Sequence, residues 1–171
     1  MEVIIAPNPV LRAQTKSVKK ITSGLLNILK EMVKLTKTFK DPEGIGLAAN
    51  QVGLTERFFI AKNSEGFLVV LNPKILKTYK RTKQQFEGCL SVPNYWGEVD
   101  RFSRIKVSYL DQTGKEHTEI LTGVLAWIFQ HEMDHLDGKL FPDKVLEQKG
   151  RFFKFTGKDK TGRDTFEEIS I

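Results

Sequence analysis

The segment His131-Glu132-Met133-Asp134-His135 carries the plainest chemical potential in this sequence. Histidines four residues apart lie on one face of a helix, about one turn from each other, and two imidazoles so placed can grip one divalent metal ion. Glu132 directly follows the first of them, which aims its carboxylate at a water on the metal rather than at the metal itself. That is the position of a general base in hydrolysis. The chain has only three histidines in 171 residues, so abundance does not explain the pair. Counting back from His131 by three, four and seven positions gives Ile128, Trp127 and Val124. These lie on the same helical face and are expected to wall an apolar pocket beside the metal.

A catalytic metal site of this kind takes a third protein ligand and leaves one position open. Gly138 agrees with one extended form of the motif, but Phe141 stands where that form has its last histidine. Downstream carboxylates, Glu147 or Glu167 and Glu168, are one alternative, and they would make the chain a metallopeptidase. The lone cysteine, Cys89, is another. It lies in Glu87-Gly88-Cys89-Leu90-Ser91 at the end of an expected strand, and taken alone it reads first as a small, inert, buried residue.

The elements that must position these groups follow from patterning. From Gly123 to about Asp137 the period is helical, with Thr122 placed to cap the helix and Gly138 to stop it. An earlier helix is expected from Thr22 to Phe39, because Leu25, Leu26, Ile28, Leu29, Met32, Val33 and Leu35 share a face and Asp41-Pro42 bars continuation. Strand-like runs from Arg57 to Lys62 and from Phe67 to Leu71 flank the turn Asn63-Ser64-Glu65-Gly66. Runs from Arg104 to Leu110 and from Glu116 to Leu121 flank Asp111-Gln112-Thr113-Gly114 in the same way. The expected fold class is α+β: short antiparallel β-sheets packed around a central metal-binding helix, with a second long N-terminal amphipathic helix.

Residues 1–171 fit a single catalytic domain. Only residues 150–171, with Gly157, Gly162, several lysines and a strand-like Phe166 to Ile171, are expected to be loosely organised. A hydrophobic fraction of 40% and a charged fraction of 28% suit a globular chain, and no apolar run is long enough to span a bilayer, which argues against a membrane protein. The sequence opens without a secretory or transit pattern, so the expected compartment is the cytoplasm. One cysteine cannot form an internal disulfide. The formal charge of +6 admits an acidic partner. Lys149, Arg151, Lys154, Lys158, Lys160 and Arg163, interleaved with Phe152, Phe153 and Phe155, make the basic tail the candidate contact with ribosomal RNA. A catalytically silent basic module would share that charge, but it would have no need of Glu132.

Three segments together resemble peptide deformylase: Gly44-Ile45-Gly46-Leu47-Ala48-Ala49-Asn50-Gln51, Glu87-Gly88-Cys89-Leu90-Ser91, and Gln130 followed by His131 through His135. Their order and separations match that family from about Pro9 to Asp143. The resemblance implies a metal held by Cys89, His131 and His135, typically iron(II), with nickel, cobalt or zinc as substitutes. It also implies removal of the formyl group from the N-terminal methionine of nascent polypeptides, with release of formate. Glu132 would shuttle the proton, the Gln51 amide and the Leu90 backbone N–H would stabilise the oxyanion, and Ile45 and Gly46 would join the substrate pocket. Asn50 stands where the family commonly has proline, Asn94 where it has glycine, and Trp96 where it often has arginine. Trp127 is bulkier than the usual residue at its place and predicts a reshaped methionine pocket.

Overall fold

A computed structural model describes residues 1–170. The elements in chain order are α1 (Ser23–Thr36), β1 (Gly46–Ala48), β2 (Phe58–Asn63), β3 (Gly66–Thr78), β4 (Thr82–Cys89), β5 (Val92–Phe102), β6 (Arg104–Leu110), β7 (Glu116–Thr122), α2 (Gly123–Leu136), α3 (Phe141–Gln148), β8 (Phe152–Lys158) and β9 (Asp164–Ile169). The strands form two sheets, ordered β1-β2-β3-β6-β7 and β4-β5-β8-β9, and every pairing between these strands is antiparallel. The class is α+β, as expected. Helix α2 packs on β1, β2 and β7 of the first sheet and reaches β5 of the second, so residues on its exposed end and inner face can meet both.

Local chemistry explains the hairpins. The Asn63 side chain accepts from the Glu65 N–H at 3.0 Å, and Gly66 supplies the positive φ of 134° that closes the β2–β3 turn. In the β6–β7 turn, Asp111 Oδ1 accepts from the N–H groups of Thr113 and Lys115 at 2.8 and 3.2 Å. Strand β2 is buried on both faces. Phe58 and Ile60 join Leu25, Leu29, Met32 and Leu47 beneath α1, while Phe59 and Ala61 join Ile105, Val107, Phe129 and Leu136 beneath α2. Each such Phe, Leu or Ile contributes roughly 1.5–3 kcal/mol on burial.

Several boundaries differ from expectation. Helix α1 ends at Thr36 rather than Phe39, because the following loop folds back on its last turn. A Cβ added at Gly44 would lie 2.4 Å from the Thr36 carbonyl oxygen, so the loop occupies the space in which the helix would continue. Strand β3 runs on to Thr78 instead of stopping at Leu71; Asn72, at φ 50°, and Pro73 make a register shift within it rather than an end. Thr122 occupies the N-cap position of α2, but its side chain makes no capping hydrogen bond.

The largest difference is the tail. Residues expected to be loosely organised form a β-hairpin, in which β8 pairs with β5 through Tyr95↔Lys154, Trp96↔Phe153 and Gly97↔Phe152. Phe152 buries itself against Phe141, Val145 and Val99. Gly157 and Gly162, at φ 126° and 82°, are the bulge and turn of this hairpin. The strand expected from Phe166 to Ile171 is β9 as far as Ile169, and Ile171 lies outside the described residues.

Candidate active site

Strand β4 delivers Cys89 to the inner face of α2, where His131 and His135 project. One ligand atom from each of the three residues lies within 4.8 Å of the others, and Cys89 Sγ is 3.2 Å from His135 Nε2. Bonds of about 2.0–2.3 Å to one ion can bridge such a spread. The other candidates for third ligand lie elsewhere: Glu147 pairs with Lys139 and Lys144 on the surface, and Glu168 pairs with Arg151. Among the described residues, Cys89, His131 and His135 are the one group of this kind.

The surroundings fit a cation. Glu87, fully buried, accepts from His131 Nδ1 at 2.8 Å, which leaves Nε2 of that ring for a metal. It also accepts from Arg101 Nε and Nη2 at 2.7 and 2.9 Å and from Trp127 Nε1 at 2.7 Å. Burial opposes ionisation of Glu87, but the hydrogen bonds from Arg101 and His131 hold its pKa down to about 2. Burial likewise disfavours charge on His131, yet hydrogen bonds to Cys89 and Glu87 raise its pKa well above the ordinary value. His135 is driven the other way, by burial first and then by the charge of His131.

Glu132 is buried beside this group, with Oε2 lacking any hydrogen-bond partner. Burial pushes its carboxyl up to about 7, so it can hold or release a proton near neutrality. A Cβ at Gly46 would lie 2.2 Å from Glu132 Oε1 and 3.1 Å from Ile128, so only glycine lets β1 approach the base this closely. Ile45, Gly46, Trp127 and Ile128 line a cavity of about 170 Å3 together with Gly88 and Trp96, and Cys89, His131 and Glu132 stand at its wall.

Residues 1–151 match the family model for polypeptide deformylase. The chain belongs to the peptide deformylase family. It is 40% identical over 142 residues to the peptide deformylase of Thermotoga petrophila, covering 83% of this chain and 85% of that one. With that of Halothermothrix orenii it shares 43% identity over 141 residues, 81% and 89% of the two chains. The crystal structure of peptide deformylase from Thermotoga maritima superposes with a TM-score of 0.79 at 38% identity, covering 84% of this chain and 95% of the other. A peptide deformylase from Synechococcus elongatus, solved in complex with actinonin, gives 0.79 at 36% identity over 84% and 78%. The chain is thus a metal-dependent hydrolase that takes the N-formyl group off new polypeptides.

The other residues singled out from the sequence converge on the same place, except Val124, which was placed there by helical period. The Gln51 side chain is fixed by the Ala48 N–H, which donates to its Oε1 at 2.8 Å, and this turns Nε2 toward Ser91 Oγ at 3.1 Å and Cys89 Sγ at 3.4 Å. Leu90 lines the cavity next to Cys89. Asn50 donates from its side chain to the His135 carbonyl, tying the segment that carries Gln51 to the end of α2. Val124 does not join the pocket: it is 63% exposed, because the first turn of α2 extends beyond the cavity and nothing packs over it.

Sequence reasoning passed over Glu87 as a functional side chain. The signal was available, since residues two apart in a strand share a face and Glu87 precedes Cys89 by two. Arg101 carried no such signal. It reaches Glu87 from the neighbouring strand β5 and extends the network to Asp134 at 2.6 Å.

Proposed function

We propose that Cys89, His131 and His135 hold the metal and that Glu132, Gln51 and Leu90 carry out deformylation around it. When bound, a divalent ion supplies the Lewis acid that polarises the formyl oxygen and makes water acidic, and a thiolate with two imidazoles suits iron(II), nickel, cobalt or zinc. Glu132 takes a proton from the attacking water as the new C–O bond forms. It then gives that proton to the departing amine as the C–N bond breaks, so formate and a free N-terminal methionine result. The negative oxygen that develops between these steps receives hydrogen bonds from Gln51 Nε2 and the Leu90 backbone N–H. Gln51 Nε2 already donates to Ser91 Oγ at 3.1 Å and to Cys89 Sγ at 3.4 Å, so the amide is held beside the sulfur that would bind the metal.

Methionine enters the cavity among Ile45, Gly46, Trp127 and Ile128, whose apolar walls match an unbranched thioether. The indole of Trp127 forms one wall while its N–H is spent on Glu87, so it cannot swing away without breaking that bond. The observation that carries this reading is the unpartnered Glu132 oxygen beside three converging ligands. The substrate, a polypeptide still bearing its initiating formyl group, supports a cytoplasmic site of action. Helix α2, shared by both sheets, supports one catalytic domain over residues 1–171.

Contact with the ribosome through the basic tail finds less support than the catalytic reading. Lys158 pairs with Asp41 and Asp164, Arg151 pairs with Glu98 and Glu168, and Lys154 faces Glu167 across the hairpin, which leaves Lys149 after α3 and Lys160 and Arg163 at the turn to meet phosphate. Formate release from a formyl-methionyl peptide, by protein purified without oxygen and loaded with iron(II), tests the reaction. No formate from fully metallated protein would overturn it.

A further inference from the structure

Beyond the catalytic cavity lies a second groove of about 500 Å3, which shares Pro42, Cys89, Leu90 and Trp96 with it. Its floor is the start of β5, from Val92 to Trp96. One wall comes from the loop after α1, through Phe39 and Pro42, and the other from the C-terminal hairpin, through Phe155. That hairpin begins at Phe152, past residue 151 where the match to the family model ends.

Two structural features make the groove continuous with the reaction site and apolar inside. The Trp96 indole lies over Gly88, where an added Cβ would come within 3.0 Å of the ring atoms, and it stacks on Phe86 at 5.4 Å between centroids. Phe166 meets both rings edge-on, and Phe155 meets Phe166 at 5.8 Å, so one aromatic cluster ties Trp96, which lines both cavity and groove, to Phe155 of the hairpin. The charged groups lining the groove are Asp41, Lys158 and Asp164, all at its rim. Lys158 bridges the walls by pairing with Asp41 at 2.8 Å and with Asp164.

An enzyme that acts on the first residue of a chain must let the rest of the chain leave the cavity, and the shared wall at Leu90 and Trp96 offers that exit. We propose that the C-terminal hairpin completes a second substrate subsite, which holds an apolar or aromatic side chain from one of the two residues after the formyl-methionine. The assignment rests on the deformylase reading and adds to it a preference that the hairpin creates.

The test is kcat/KM of the iron-loaded protein on tripeptides formyl-Met-Xaa-Yaa, with Phe or Ser placed at each of the last two positions in turn. Burying a phenyl ring against Phe155 and Trp96 predicts about tenfold preference for Phe at one position. In Phe155→Ala that ratio falls toward unity, each variant being scored by its own Phe-to-Ser ratio so that a general loss of activity cancels. Asp41→Ala, which opens the bridge to Lys158 without touching the core, lowers the ratio as well and serves if Phe155→Ala fails to fold. Equal rates for Phe and Ser at both positions would overturn the subsite while leaving deformylation intact. A wild-type preference unchanged in both variants would overturn the hairpin's part in it. No hydrolysis of any formyl peptide would instead overturn the underlying reading.

Discussion

At the scale of single residues, the site divides into groups that touch the reaction and groups that hold those in place. Glu87 belongs to the second kind, because its carboxylate orients His131 while Arg101 and Trp127 fix the carboxylate. Glu87→Gln keeps the shape but weakens these bonds, and metal affinity is expected to fall about 10–100-fold, measured by competition with a chelator. Trp127→Phe removes one donor to the same oxygen, Oε1, and leaves Arg101 on it, so a smaller loss is expected. Gly46→Ala places a methyl group into Glu132, and kcat is expected to collapse while metal content, read by atomic absorption, stays near wild type. His131, Glu132 and His135 were legible in the sequence because metal chemistry demands particular types at particular spacings, whereas Cys89, Gln51 and Leu90 stood out only through the resemblance to the family. Val124 was misplaced because a helical period gives a residue's face and not how far the opposing wall extends.

At the scale of elements, α2 and its flanking turns decide whether the ligands meet. Gly138, at φ 72°, ends the helix with its Cα against the Arg12 carbonyl, where a Cβ would lie 2.3 Å from that oxygen. Gly138→Ala is expected to cost about 2 kcal/mol from backbone strain alone, or about 4–8 °C in Tm for a chain of this size, followed by circular dichroism. The helices and the two hairpins flanked by clear turn residues were legible, since Asn63-Ser64-Glu65-Gly66 and the loop at Asp111 carry their own hydrogen-bond chemistry. Strand β5 was not. Its length depends on partners on both sides, β4 and β8, and Val92 to Phe102 shows no local alternation that would reveal them.

At the scale of the whole molecule, two sheets are joined through one helix, and the proposed ligands come from both sides of the junction: Cys89 from the second sheet, His131 and His135 from the helix packed on the first. Metal bound there would tie the halves together. Stripping it with a chelator is expected to lower Tm, and restoring it to return the lost stability, because binding to the folded state alone adds about 2.7 kcal/mol at a hundredfold excess over Kd. The hairpin of β8 and β9 was read from sequence as loose because Gly157, Gly162 and several lysines interrupt its patterning. What orders it is tertiary, the pairing with β5 and the burial of Phe152.

The central claim is that Glu132 moves the proton at a site made by Cys89, His131 and His135. Its most direct test is single-turnover formate release by wild type and Glu132→Gln at equal, measured metal content. Removal of a general acid–base is expected to slow the reaction about 10²–10⁴-fold with metal retained. Rates within a few-fold of each other would contradict it.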